Sequence, residues 1–289
     1  MASFKQIPWY NSLQFQGILV FASIVGWLTL AIALAMHTLG KQVVSSQAEI
    51  SLEQLGNNAV TGLSGRLQEI ASLTRAIATT ARELPADEVL FQQTIPDLLH
   101  FDGDLDVAGG GVWPEPFQFD PSRERASFFW GRDAMGRLTY YDGYNLPGPG
   151  YHNEAWYVTA QHIEPGTCSW SESYMDPYSL EPMVTCTVGI FQASNLKGAA
   201  TVDLNLRGLK QWASEWQDSM GGYLFVVDRN NRFITFPKSD WVRHINVDSE
   251  GNQTENYLLV ENLAAINQDF APINEALNTV NKTLLAEAE

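Results

Sequence analysis

A chain of 289 residues with 17 Lys and Arg against 33 Asp and Glu carries a formal charge of −16, which excludes the basic footprint of a nucleic-acid binder. Hydrophobic residues at 45% and charged residues at 17% exclude disorder and leave room for one or two globular domains. The charge is unevenly placed: residues 1–40 hold one Lys, Lys5, with no Arg and no acid, so residues 41–289 carry −17.

Gly17 to Met36, GILVFASIVGWLTLAIALAM, is a run of 20 residues without a charge. At about 1.5 Å per helical residue it matches a hydrocarbon core of about 30 Å, and a transmembrane helix is predicted over 17–39. Trp9 and Tyr10 supply an interfacial anchor, and Lys5 with the terminal amine a weakly positive inner end. Residues 1–16 are therefore expected in the cytoplasm, the chain after about residue 40 in the periplasm, and the whole at the inner membrane. Ala33-Leu34-Ala35 offers the competing reading of a cleaved signal peptide. Against it, the apolar run exceeds the usual core of about 7–15 residues and the preceding segment is barely basic.

Leu63, Leu67, Ile70, Leu73, Ile77, Ala81 and Leu84 step by 4, 3, 3, 4, 4 and 3, a helical stripe that Pro85 ends. A long periplasmic helix is predicted over 40–84, continuous with the membrane span. The stripe suits a homodimer seam or packing onto the helix's own domain, and period alone does not choose. From Val107 to Leu206 the texture becomes β-rich, with runs at Ala126–Trp130, Leu138–Tyr141, Met183–Val188 and Gly198–Leu206. Helical stretches interrupt near Glu154–His162 and Leu206–Met220. This reads as an α+β lobe around one antiparallel sheet over 85–220. A second lobe over 221–289 opens with a hairpin, Tyr223–Phe236, turning at Asp228–Asn231, followed by a helix from about Tyr257 to Asn281. One hairpin and a helix do not close a sheet, so this lobe is expected to be incomplete and the chain a piece of a longer receptor.

Cys168 and Cys186 bracket CSWSESYMDPYSLEPMVTC, which reads as two strands around a turn at Asp176-Pro177-Tyr178-Ser179. The pair is symmetric about Pro177, so the cysteines are expected to face each other across the hairpin and form a disulfide in an oxidising compartment. Two buried free thiols are the alternative. No metal-ligand spacing is present.

Several stretches carry a resemblance: Gly109-Gly-Gly-Val-Trp-Pro-Glu-Pro116, Phe119-Asp-Pro-Ser-Arg-Glu-Arg-Ala-Ser-Phe-Phe-Trp130, Tyr151-His-Asn-Glu-Ala-Trp-Tyr157, Trp170-Ser-Glu-Ser-Tyr-Met-Asp-Pro-Tyr178 and Pro182-Met-Val-Thr-Cys-Thr187. With the span, the long helix and the two lobes, residues 15–240 resemble double Cache (tandem PDC/PAS-like) sensor domains of the type fused to diguanylate cyclases. The resemblance implies two PAS-like lobes, the first membrane-distal, in an extracytoplasmic sensor that binds a small molecule, works as a homodimer and signals through the membrane. The output module lies outside this chain, a diguanylate cyclase on this resemblance. The alternatives are a methyl-accepting chemoreceptor, a histidine kinase, or an anchored partner-binding domain with no small ligand.

In that family an Arg two positions before a Trp-aromatic pair holds the carboxylate of an α-amino acid, and a later Asp holds its ammonium. Here the pair is Trp156-Tyr157, but Glu154 stands in the place of the Arg, and Pro149 where a tyrosine is expected. Tyr174 and Asp203 match the later positions. The resemblance thus keeps the ammonium half of the site and loses the carboxylate half. The expected ligand set is Asp203, Trp156, Tyr157, Tyr174, Trp170, Asp176 and Glu154. Carboxylates pair with an ammonium, and aromatic faces attract cations by about 0.5–2 kcal/mol each, so an amine or other cation is favoured. The competing reading is structural: Trp and Tyr fill cores, and Asp176-Pro177 is ordinary turn chemistry.

Asp102-Gly-Asp-Leu-Asp106 alternates carboxylates as calcium loops do, but Val107 and Trp113 stand where an EF-hand needs Gly and Glu, so it reads as a solvated loop. Arg123, Arg125 and Arg132 form the main basic cluster and are expected in ion pairs. Five scattered histidines and no nucleophile or metalloprotease motif give no catalytic constellation, and nothing calls for a cofactor.

Overall fold

The computed structural model describes residues 13–133, 135–176, 182–220, 224–228, 230–247, 253–266 and 271–288. Lys5, Trp9 and Tyr10, and the turn residues Pro177, Tyr178 and Ser179, lie outside the described residues. The chain divides into two units, Met1–Val60 and Thr61–Glu289.

No proline interrupts the sequence from Leu13 to Glu83, and one helix, α1, spans those 71 residues. In the first unit, Leu13–His37 has a mean hydropathy of 2.5 and is not buried in the protein. It is long and apolar enough to cross a membrane, and inside a bilayer a helix satisfies its own backbone.

The second unit begins with the rest of α1, whose last turn closes through the Leu84 N–H donating to the Thr80 carbonyl at 2.9 Å. α2 (Glu88–His100) follows, with Asp87 capping the backbone amides of Val89 and Leu90. Seven strands then form an antiparallel sheet: β1 (Val107–Pro114), β2 (Phe128–Arg132), β3 (Leu138–Tyr141), β4 (Ser169–Trp170), β5 (Tyr174–Met175), β6 (Pro182–Gln192) and β7 (Asn195–Asn205). Their order is β3-β2-β1-β7-β6-β4, with β5 also paired to β6. A short helix, α3 (Ala155–Val158), and α4 (Leu206–Met220) complete this half.

Both faces of the sheet are covered. On one, Val112, Phe128, Trp130, Val188 and Val202 meet Ile70, Ile77, Phe91, Ile95 and Leu99 of α1 and α2. The α1 stripe is therefore spent on its own sheet: Ile70 and Ile77 are fully buried, and Leu63, Leu67, Ala81 and Leu84 pack against the same core. Burying one such side chain contributes about 1.5–3 kcal/mol, which a dimer seam made of the same atoms could not collect again. The other face carries Trp113, Phe129 and Ala199 under Tyr151, Trp156, Tyr157 and Ala160.

The remaining residues form two hairpins, β8 (Val226–Val227) with β9 (Phe233–Thr235) and β10 (Arg243–Val247) with β11 (Gln253–Tyr257). Helices α5 (Ser239–Val242), α6 (Val260–Ile266) and α7 (Ala271–Ala288) accompany them. Phe233, Phe236, Val242, Tyr257, Val260 and Leu263 make their core. The helix expected from Tyr257 is different in the structure. Tyr257 ends a strand in register with Arg243, and two helices replace one.

Cys168 and Cys186 are joined by a disulfide with Cα atoms 5.6 Å apart. The strand register differs from the symmetric one: Cys186 pairs with Trp170 and Thr187 with Ser169, so the cysteines bridge diagonally rather than face to face. Residues 171–173, between β4 and β5, lie outside any strand.

Candidate ligand-binding site

Asp203 lies on β7 between Gly109 of β1 and Thr185 of β6. Its side chain is only 4% exposed. Thr185 Oγ1 donates to Asp203 Oδ1 at 2.7 Å, and the Tyr174 hydroxyl lies 2.7 Å from Thr185 Oγ1. A threonine has one proton, so with Asp203 ionised Tyr174 donates to Thr185 and the three form a directed chain ending at the carboxylate. Burial pushes the Asp203 carboxyl up to about 7; the Thr185 bond opposes the rise and the neighbouring charge of Asp176 adds to it. Among the described residues no Lys or Arg pairs with Asp203. The Tyr174 hydroxyl is likewise raised, by burial first and by the Asp203 charge second.

On the β1 side nothing projects beside Asp203. At Gly109 and Gly111 a Cβ would run into the carbonyls of Trp130 and Phe128, so neither position accepts a side chain. Two residues on, Trp113 donates its Nε1–H to Thr201 Oγ1 at 2.8 Å and faces Trp156, ring centroids 4.7 Å apart. Tyr144 closes the group edge-on, 5.2 Å from Trp113 and 6.3 Å from Trp156, and Phe129 lies 5.3 Å from Trp113. A buried carboxylate chain beside aromatic faces can hold a cationic group on an apolar body.

The structure brings Asp203, Tyr174 and Asp176 together, and Trp156 joins them through Trp113 and Tyr144. Asp176 is 3% exposed. Tyr157 is buried in the same aromatic layer, but its hydroxyl is engaged by Glu115 Oε1 at 2.6 Å. Glu154 contributes backbone, its carbonyl accepting from the Tyr157 and Val158 amides at 2.9 Å, and burial raises its carboxyl. Trp170 is separated from the others. It pairs with Cys186 and packs into the core under α1 and α2, on the face opposite Asp203. Sequence reasoning passed over Trp113 and Tyr144. Alternation along β1 puts Trp113 on the same face as Gly109 and Gly111, a usable signal, whereas Tyr144 sits in a short 3-10 turn that has no such pattern.

Two expectations elsewhere are corrected. The Asp102–Asp106 loop is not merely solvated, because Asp104 takes Arg66 of α1 as an ion-pair partner and caps the Asp106 amide at 2.9 Å. Among the described residues no group of three metal-ligating side chains occurs. Of the three arginines only Arg123 pairs with acids, Glu88 and Asp120. Arg125 donates to the carbonyls of Leu146 and Gly148, and buried Arg132 to those of Val107, Gly136 and Asp104. Irregular connections leave carbonyls that strands would have paired, and a guanidinium supplies several donors at once.

Residues 99–211 match the family model for the first PDC sensor domain of methyl-accepting chemotaxis protein-like sequences. Comparison with curated proteins gives no match. Among solved structures, the extracellular domain of mmHK1S-Z2, assigned as a histidine kinase, aligns with a TM-score of 0.52 at 17% identity, covering 73% of this chain and 91% of that one. The corresponding domain of mmHK1S-Z3 aligns with a TM-score of 0.51 at 20% identity, covering 66% and 70%. The sensory domain of the Campylobacter jejuni chemoreceptor Tlp3 aligns with a TM-score of 0.51 at 14% identity, covering 69% and 75%. The chain therefore carries a PDC-type fold, similar to the sensory domain of a chemoreceptor and to extracellular domains assigned to histidine kinases.

Proposed function

We propose that the chain is a membrane-anchored, periplasmic sensor of a small amine, whose cationic group pairs with Asp203. The observation that supports this most is a carboxylate at the centre of the sheet, nearly inaccessible, with no basic partner among the described residues. Ionising such a group costs free energy that a bound ammonium returns by charge pairing and hydrogen bonding. Asp176 adds a second negative charge, and Tyr174 with the packed Trp113, Trp156 and Tyr144 rings gives the site apolar surroundings. Glu154, in the place where related sensors carry an Arg, leaves a carboxylate on the ligand without a counter-ion. The family match favours chemoreceptor output, while the sequence motifs resemble sensors of diguanylate cyclases. The sensor acts as a homodimer, joined through a surface other than the buried α1 stripe.

The test is calorimetry on the full chain in detergent with phenethylamine, ethanolamine and phenylacetate. An amine binds and phenylacetate does not. Asp203→Asn weakens the amine at least tenfold, about 1.4 kcal/mol or more. Equal amine affinity in the variant, or binding of phenylacetate that Asp203→Asn does not change alongside no binding of amines, overturns the reading.

A further inference from the structure

The segment from Ser171 to Asp176 supplies two of the residues around Asp203, yet it has little structure of its own. β5 is two residues long and bonds only to the start of β6. Its first anchor is Ser171, whose backbone amide donates to the Thr185 carbonyl and whose hydroxyl accepts from the Thr185 amide, each at 2.9 Å. Thr185 is the residue that bonds both Tyr174 and Asp203. The segment is thus tied to the site at the same point as the carboxylate.

The two middle residues are tied elsewhere. Glu172 Oε2 accepts from Asn230 Nδ2 at 3.0 Å, and Asp228 Oδ2 accepts from both the amide and the hydroxyl of Ser173 at 3.4 Å. Asn230 and Asp228 belong to the turn between β8 and β9. The other oxygen of Asp228 holds that turn, accepting from the amides of Asn230 and Arg232 at 2.9 Å. Asp228 is only 7% exposed. With one oxygen on Ser173 and the other on the turn, the Asp228 carboxylate links the two. Ser173 adjoins Tyr174 in the chain. A continuous path of bonded groups therefore runs Asp203, Thr185, Tyr174, Ser173, Asp228, Arg232.

We infer that Asp228, from the second half of the protein, is a positioning residue of the Asp203 site, and that its grip on Ser173 passes ligand occupancy to the β8–β9 hairpin. The inference rests on Asp203 being the ligand anchor. Coupling is reciprocal, so a hairpin that responds to the ligand must also tune the ligand's affinity.

Amide hydrogen exchange on the full chain in detergent tests it, with phenethylamine as the probe. In the wild type, phenethylamine slows exchange across 226–235. In Ser173→Ala/Asn230→Ala, which removes the Ser173 hydroxyl and Glu172 bonds but keeps Asp228, its turn and the Ser173 amide bond, the amine binds about threefold to tenfold more weakly and the hairpin response is reduced. Asp228→Asn shows the same pattern, and the double variant carries the test if Asp228→Asn fails to fold. A ligand-free arm uses Tyr174→Phe, which loses the bond to Thr185 and speeds exchange of the Asn230 and Arg232 amides. An unchanged hairpin response in the double variant, or unchanged Asn230 and Arg232 exchange in Tyr174→Phe, overturns the inference. If wild type binds no amine, the Asp203 reading fails by itself and the Tyr174→Phe arm alone decides this one.

Discussion

Replacing Asp203 by Asn should stabilise the ligand-free protein at alkaline pH while weakening its response to amines. The rise of the carboxyl from 3.8 to about 7 comes first from burial, and at about 1.4 kcal/mol per pH unit it corresponds to about 4 kcal/mol. The sign follows from proton counting. Between about pH 4 and 7 the folded protein holds a proton at Asp203 that the unfolded chain has released. Stability from this group is therefore greatest below about 3.8, falls as pH rises, and is fully lost once pH passes about 7. Between about pH 5 and pH 8 the loss is roughly 2–3 kcal/mol. Asn keeps an oxygen for the Thr185 bond but cannot ionise, so the variant lacks this slope. Thermal melting of both proteins across that range isolates the effect of Asp203 and its couplings, because titrating groups that do not interact with it cancel in the difference. The variant should gain on wild type by roughly 4–12 °C between the two pH values, taking about 2–4 °C per kcal/mol for a domain of this size. Phenethylamine at a hundred times its wild-type Kd should then raise the wild-type protein by about 2.7 kcal/mol and the variant by about 1.4 kcal/mol or less. A difference independent of pH, or one in which wild type gains as pH rises, would refute the reasoning.

Other perturbations probe the scaffold. Ile77→Ala, which empties a fully buried position between α1 and the sheet, should cost about 2–5 kcal/mol in thermal melting, and a loss below about 1 kcal/mol would place α1 elsewhere. Cys168→Ser should cost about 3 kcal/mol for a bridge closing a separation of 18 residues, and the same Tm with and without reductant in wild type would argue that the bond contributes nothing. Cysteines placed at exposed Ser64, Gln68 or Ser72 should crosslink a homodimer more readily than cysteines at Leu63, Leu67 or Ile70; the reverse order, read on a non-reducing gel, would return the stripe to the dimer interface.

The sequence shows those features that depend on one element at a time. The 3- and 4-residue steps from Leu63 to Leu84 define α1, and Pro85 its end, because a helix's buried face is written in its own period. α2 was invisible for a related reason: it is 13 residues long, contains Pro96, and borrows its stability from Phe91, Ile95 and Leu99 meeting distant strands. The second half is the least legible in sequence, since Gln253–Tyr257 is polar and becomes a strand only by pairing with Arg243–Val247. Trp170 shows the limit most clearly. Its parity with Cys168 and Cys186 could be read along the chain, but which face the ligand group occupies is set by Asp203 meeting Thr185 across two strands.

That division also explains why the candidate site is expensive where the scaffold is cheap. The α1 face of the sheet is apolar throughout its centre, with Val188, Ala200 and Val202 buried against α1 and α2. The opposite face, with the same backbone, gives up apolar packing for Thr185, Thr187, Thr201 and Asp203, all buried, and leaves Thr187 Oγ1 without a hydrogen-bond partner among the described residues. A sheet selected for stability alone would fill those positions with valine and would bury no carboxylate, since an uncompensated polar group costs about 1–3 kcal/mol and a charge more. The cost is concentrated on one face, next to the aromatic group and the segment that reaches the second hairpin. A ligand that neutralises Asp203 can therefore return several kcal/mol at one place, enough to bias a two-state element by more than a factor of 10. The instability at Asp203 is then the source of the signal, and a variant such as Asp203→Asn that removes it yields a sturdier protein with a weaker response.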